Sequence, residues 1–281
     1  VFNESVQEFL HKKDELANYF DEEQTEDIFD YIPPQQTNQI FTPKWVVKMM
    51  VDILEEENPE LFADEKRAFA DLYVKSGLYL TEVVKRLYKG LEDVIPDEGD
   101  RLKHILENQI YGFAPSEIIY NIAKNYIYGA YADIDNSHLE CLDLTETAKR
   151  GETLNMKFDV VVGNPPYQEN PQYGSTRKMP IYDQFIEMSY KIADQVCLIS
   201  PARFLFNAGY TSKTWNMKML NDENLKVVYY EQDSSKIFPD ADIRGGIAIT
   251  YRNSDVIFGA IKTFTTYPEL NVILGKVSKT A

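Results

Sequence analysis

Two hydrophobic rhythms alternate along this chain. Short runs of strand-forming residues occur at Ala68-Phe-Ala70, Gln109–Phe113, Ser137–Leu142, Phe158–Gly163, Gln195–Ser200, Leu225–Tyr230 and Ile247–Tyr251. Between them lie stretches with apolar residues at helical spacing. Val46, Val47, Met50 and Val51 follow Thr42-Pro43, which reads as a threonine N-cap with proline at the first helical position. Further helices are predicted from Leu78 to Leu87, from about Pro115 to Asn125, and from Tyr182 to Ala193. Strands alternating with helices make βαβ units. The pattern therefore predicts an α/β protein with a doubly wound, mostly parallel, seven-stranded sheet. Right-handed crossovers bring the ends of the first four strands to one edge, where Asp71, Asp143 and Asn164 share a crevice. Ligands bind at that edge in open α/β sheets.

The fourth run delivers the most distinctive residues. Phe158-Asp-Val-Val-Val-Gly163 stops at Asn164-Pro-Pro-Tyr167. The prolines fix φ and have no N–H to tie the turn into a ladder, so backbone carbonyls are left free. Asn164 adds an amide oxygen and Tyr167 a flat ring with a polar tip. Two acceptors beside a stacking surface suit a planar heterocycle with an exocyclic amine, and adenine is one. A rigid exit turn with a packing tyrosine is the other reading of the same four residues.

Composition narrows the setting. The chain has 281 residues, 44% hydrophobic and 26% charged, which suits one large core with a smaller attachment. No stretch reaches the length of a membrane span, and no signal-peptide pattern follows Val1, so the expected compartment is the cytoplasm, with no membrane partner. Cys141 and Cys197 are not paired as Cys-x-x-Cys, and His138 with Cys141 supplies only two of the three or four ligands that zinc recruits, so no metal is expected. The net charge of −16 runs against a nucleic-acid protein. Its distribution changes that picture: acid is concentrated in 14–30 and 55–65, whereas 171–181 and 201–220 contain no Asp or Glu. The second acid-free window interleaves Arg203, Lys213 and Lys218 with Phe204, Phe206, Tyr210 and Trp215, either a face for a polyanion with stacking rings or a solvated helix and loop.

Taken together, Gln39-Ile-Phe-Thr-Pro43, Asp71 to Gly77, Cys141-Leu-Asp143 and Asn164-Pro-Pro-Tyr167 resemble the adenine-N6 DNA methyltransferases, over roughly residues 39–251. The likeness is strongest to the methylase region of fused type II restriction-modification enzymes. Asn-Pro-Pro-Tyr is shared with methyltransferases that act on protein glutamine and on guanine in ribosomal RNA, and the Phe-Thr-Pro element favours the DNA adenine group. The resemblance implies S-adenosylmethionine as cofactor, held by Phe41, Thr42, Pro43, Asp71, Lys75, Ser76, Gly77, Asp143 and Asn164. It implies an adenine flipped out of double-stranded DNA. Asn164, Pro165, Pro166 and Tyr167 form the catalytic element, with Asn164 and the Pro165 carbonyl accepting from N6. Tyr167 stacks on the base, Phe238 covers its other face, and Arg177 and Lys178 face the substrate from the 168–180 loop.

Two positions depart from the family. Lys75 stands where a glycine is common, and Ala114 stands where an acid normally binds the ribose hydroxyls, with Glu117 one helical turn beyond as a replacement. The expected organisation is an N-terminal helical extension over 1–38, a catalytic domain over 39–255 and a C-terminal extension over 256–281 that leads to a missing target-recognition domain, with double-stranded DNA and the missing target-recognition and nuclease regions of the same polypeptide as partners. The acidic charge keeps an amino-methyltransferase for RNA or protein as an alternative. Lys75 and Ala114 keep a non-catalytic DNA-binding or assembly module on the same fold.

Overall fold

The computed structural model describes residues 19–20, 41–129, 131, 133–169, 179–239 and 241–267. Most of the predicted N-terminal helix, the Arg177 and Lys178 pair, and the chain from 268 lie outside the described residues.

Among the described residues seven strands form one sheet: β1 Phe69–Asp71, β2 Ile110–Ala114, β3 Leu139–Cys141, β4 Phe158–Gly163, β5 Ala193–Pro201, β6 Leu225–Glu231 and β7 Ile247–Asn253. Their order is β3-β2-β1-β4-β5-β7-β6. The pairs from β3 to β5 are parallel, and β7 runs antiparallel to both β5 and β6. All seven predicted strands are present, and the sheet is doubly wound and mostly parallel. The helices are α1 Lys44–Glu57, α2 Leu78–Gly90, α3 Glu98–His104, α4 Glu117–Tyr128, α5 Thr145–Lys149, α6 Tyr182–Ile192 and α7 Lys213–Asn221. Helices on both faces bury two apolar clusters. One runs from Val46 and Met50 of α1 through Val83 of α2 to Val160 and Val162 of β4. The other joins Ala70 and Val161 to Phe185 and Ile186 of α6. Alternate residues of β4 thus point to opposite faces, as the period of two requires.

Three sequence readings change in detail. Helix α1 begins where expected, but its N-cap is Pro43 and no side chain caps it. Thr42 is turned away from the helix end because its hydroxyl is engaged elsewhere, by Tyr79 and Asn164. Helix α4 starts two residues after Pro115, with the Ser116 hydroxyl accepting from Ile119 N–H. The helix predicted from Leu78 to Leu87 runs on to Gly90, and after a turn α3 leads into a π-turn at Ile105–Gln109 directly before β2.

The acidic residues of α1 have a structural use. Arg86 of α2 pairs with Asp52 and Glu55 of α1 and with Glu82 of its own helix, which joins the two helices that flank β1. At the start of the central pair, Asp159 accepts from Arg67 Nη1 at 2.6 Å and from Ala68 N–H at 2.8 Å, tying β4 to the residues before β1. Among the described residues no helix is long and apolar enough to cross a membrane, and no group of three or more metal-ligating side chains occurs. We expect Asp159→Ala to destabilise the protein by about 1–2 kcal/mol in urea unfolding, the worth of a half-exposed charged hydrogen-bond pair, without altering the unfolding slope.

Candidate active site

Strands β1 and β4 are neighbours, and their carboxyl ends deliver Asp71 and Asn164 side by side. Gly163 permits the approach: a Cβ there would lie 2.8 Å from Asp71 Oδ1. Asp71 is 3% exposed and Lys75 7%, and both line a crevice with Thr42, Tyr73, Ser76, Tyr79 and Asn164. Burial pushes the Asp71 carboxyl up to about 7, opposed by the Tyr73 N–H, which donates to Oδ1 at 3.0 Å, and by the Lys75 charge. Burial likewise pulls the Lys75 ammonium down to about 7 against the attraction of Asp71. The two groups are therefore coupled and titrate as one unit.

The amide of Asn164 can be oriented from its neighbours. An ammonium has donors only, so the amide atom 3.2 Å from Lys75 Nζ is assigned as the oxygen. That oxygen also accepts from Thr42 Oγ1 at 3.0 Å, and Thr42 accepts in turn from Tyr79 Oη at 3.2 Å. The amide nitrogen then faces Tyr167 Oη at 3.1 Å and the Pro165 carbonyl at 3.2 Å. The side-chain oxygen of Asn164 thus points into the crevice, towards Lys75, and its nitrogen points towards Tyr167.

On the far side of Asn164-Pro-Pro-Tyr167 a second, larger cavity of about 520 Å³ opens against Tyr167. Tyr167 is 8% exposed and its ring meets Phe238 edge-on, at 6.4 Å and 70°. Phe238 therefore does not lie opposite Tyr167 as a second parallel face. The turn that holds it, with Phe238 N–H bonded to the Ser234 carbonyl and Ala241 N–H to the Phe238 carbonyl, folds the ring into the core.

The other predicted residues are dispersed. Phe41 and Pro43 are half-buried beside Thr42 and do not line the crevice. Ser76 caps the turn by accepting from Leu78 N–H at 3.2 Å. Gly77 has φ +92°, and a Cβ on it would meet Ile127 of α4 at 2.9 Å, so helix packing as well as backbone freedom requires the glycine. Asp143 is exposed and stays outside the crevice: its carboxylate accepts from Thr145 N–H at 2.9 Å at the start of α5, and its charge acts on Tyr73. Ala114 is fully buried, and Glu117 points to solvent on α4 rather than replacing the absent acid. The acid-free window divides. Phe204 and Trp215 are core, Lys218 pairs with Glu187, and Arg203 and Tyr210 line the larger cavity. Arg244 joins them there. Its sequence signal was faint, a lone arginine before a Gly-Gly turn.

Comparison with known proteins bears on these features together. A model of the Eco57I restriction-modification methylase family matches residues 108–238, which include β4 and Asn164–Tyr167. An uncharacterized adenine-specific methylase of Mycoplasma pneumoniae is 22% identical over 84% of this chain and 71% of its own length. The resemblance to restriction-modification adenine methylases holds. Among solved structures, the type I restriction-modification methyltransferase subunit of Streptococcus thermophilus matches with a TM-score of 0.56 and 15% identity, over 86% of this chain and 54% of that one. A nuclease-deletion mutant of the Type ISP enzyme LlaGI, in complex with a DNA substrate mimic, matches with a TM-score of 0.59 and 14% identity, over 85% of this chain and 25% of that one. At such identities these structures show the methyltransferase fold. The chain spans about half or less of their length.

We expect Asp71→Asn and Lys75→Met each to lower stability at pH 7 by roughly 2 kcal/mol, because each leaves one member of a buried pair alone. The double variant is expected to cost clearly less than the sum, as read from a double-mutant cycle of thermal melts.

Proposed function

We propose that this chain is the catalytic region of an S-adenosylmethionine-dependent DNA adenine-N6 methyltransferase of a restriction-modification protein, acting on an adenine flipped out of the duplex. The observation that carries the reading is a shared wall. Asn164 lines the crevice beside Asp71, and Tyr167, three residues on, lines the larger cavity, so one rigid turn separates an ammonium-binding crevice from a base-sized space.

The crevice tests the fit of the cofactor. Its acceptors, the Asp71 carboxylate and the Thr42 hydroxyl, suit a primary ammonium such as the one on the methionine end of S-adenosylmethionine. At present Lys75 supplies that ammonium itself, and the space left is about 10 Å³, no more than one water. The residues fit the group once the Lys75 side chain withdraws. Asp71 and Thr42 would then hold the methionine end, and the cofactor would supply an electrophilic methyl group. Withdrawal also takes one donor from the Asn164 oxygen and frees the amide to turn, so that this oxygen, with the Pro165 carbonyl, would accept from the amine of the base. Tyr167 presents its ring to the base, and positioning rather than a strong base drives the transfer.

Lys75 also favours a second reading, a non-catalytic DNA-binding or assembly module, in which its ammonium fills the crevice permanently. Calorimetry separates the two, because a permanent Lys75 plug gives no S-adenosylmethionine binding by the folded, full-length protein.

Two outcomes are expected on the catalytic reading. Full-length protein incubated with DNA and labelled S-adenosylmethionine yields N6-methyladenine, and Asn164→Ala lowers the rate by at least about 100-fold with cofactor binding retained. Labelling of RNA or protein with none in DNA would overturn the choice of substrate. Cofactor affinity is expected to peak near pH 7. Below that pH, binding must strip a proton from Asp71. Above it, the displaced Lys75 must take one up on reaching solvent, so each limb falls by up to about tenfold per pH unit. A flat profile from pH 5.5 to 8.5 would show that Lys75 and Asp71 do not gate the crevice.

A further inference from the structure

The larger cavity contains two arginines that the crevice chemistry does not use. Arg203 follows β5 and Arg244 precedes β7. Because these strands are antiparallel with Pro201 opposite Ile247, the end of one lies beside the start of the other. Ala202 N–H donates to the Gly246 carbonyl at 2.9 Å and closes the corner.

Arg203 is half-buried, and its stem passes between two glycines with left-handed backbone, Gly209 at φ +95° and Gly245 at φ +89°. A Cβ on Gly245 would stand 2.5 Å from Arg203 Cγ, and one on Gly209 would stand 3.3 Å from Arg203 Cβ. Any larger residue at Gly245 would displace the side chain. The backbone is thus shaped to hold an arginine stem. Among the described residues neither the Arg203 nor the Arg244 side chain makes an ion pair or hydrogen bond, although Asp242 shares the cavity with them. Fixing an arginine side chain costs entropy that an anion is well placed to offset. The planar fork of a guanidinium matches two oxygens of a phosphate. The cavity, about 520 Å³, is the size of a nucleotide site, and Tyr167 and Tyr210 add ring surface to the cations.

We propose that Arg203 and Arg244 clamp a backbone phosphodiester next to the target adenine, seating the nucleotide in the cavity while Tyr167 meets its base. This assignment rests on the DNA methyltransferase reading above and adds a phosphate subsite to it. Gly209 and Gly245 are positioning residues for Arg203.

The test is a salt titration of binding to a fluorescent mixed-sequence DNA duplex, using full-length wild-type protein and its Arg203→Gln, Arg244→Gln, Arg203→Lys and Gly245→Ala variants. Each Gln variant is expected to weaken binding by about tenfold at low salt and to flatten the plot of log affinity against log salt by about one. Arg203→Lys keeps the slope and loses part of the affinity. Gly245→Ala reproduces the Arg203→Gln slope, and the double variant adds nothing further. S-adenosylmethionine affinity, measured alongside, stays at the wild-type value and identifies folded variants. If wild type methylates DNA while Arg203→Gln binds it with unchanged affinity and slope, the phosphate subsite is refuted and the function stands. If wild type methylates no DNA, the functional reading fails first. Free dAMP binding that depends on Arg203, with DNA binding that does not, would assign the site to mononucleotides and overturn the proposal.

Discussion

A carboxylate, an ammonium and an amide are held away from water between the ends of β1 and β4. Neither charge is tolerable there alone: burial moves both proton affinities towards neutrality, and each charge opposes that shift in the other. The arrangement exists because β1 and β4 are adjacent in space although almost ninety residues separate them in sequence, and because Gly163 leaves room for the Asp71 oxygen. The Asn164 amide is oriented by the same cluster. Lys75 and Thr42 take its oxygen, which sends its nitrogen towards Tyr167. The state of one lysine therefore reaches both sides of the Asn-Pro-Pro-Tyr turn.

Much of this was legible in the sequence, and the gaps have physical causes. Strands were readable because β-branched and aromatic runs bounded by turn residues survive the change from sequence to sheet. Asp71, Thr42 and Asn164 converge as their places at strand and helix ends imply. Lys75 was visible as an odd residue, but its direction was not, because a flexible stem can point to solvent or inwards. Asp143 looked equivalent to Asp71, yet β3 is an edge strand, and the chain leaving it turns into α5 before reaching the crevice. Phe238 illustrates a further limit. A ring in a late loop can cover a base or fill the core, and only the hydrogen bonds of the turn decide between them.

Charge shows the same contrast between sum and placement. The net charge of −16 argues against a polyanion partner. Several of the acids, however, are spent on structure, at Arg86 between α1 and α2 and at Asp159 beside Arg67. The arginines at the larger cavity are left without such partners among the described residues.

The reversed direction of β7 gives the sheet edge a property that parallel strands cannot. A parallel strand contributes only the loop that follows it, whereas β7 contributes the loop that precedes it, residues 232–246 of the β6–β7 hairpin. That hairpin lies at the end of the sheet, away from β1, β2 and β3. Beyond Phe238, which meets Tyr167, its residues Ala241 to Arg244 line the larger cavity and none of them lines the Asp71 crevice. The fold thus separates an inheritable chemical half from a half free to diversify what it grips.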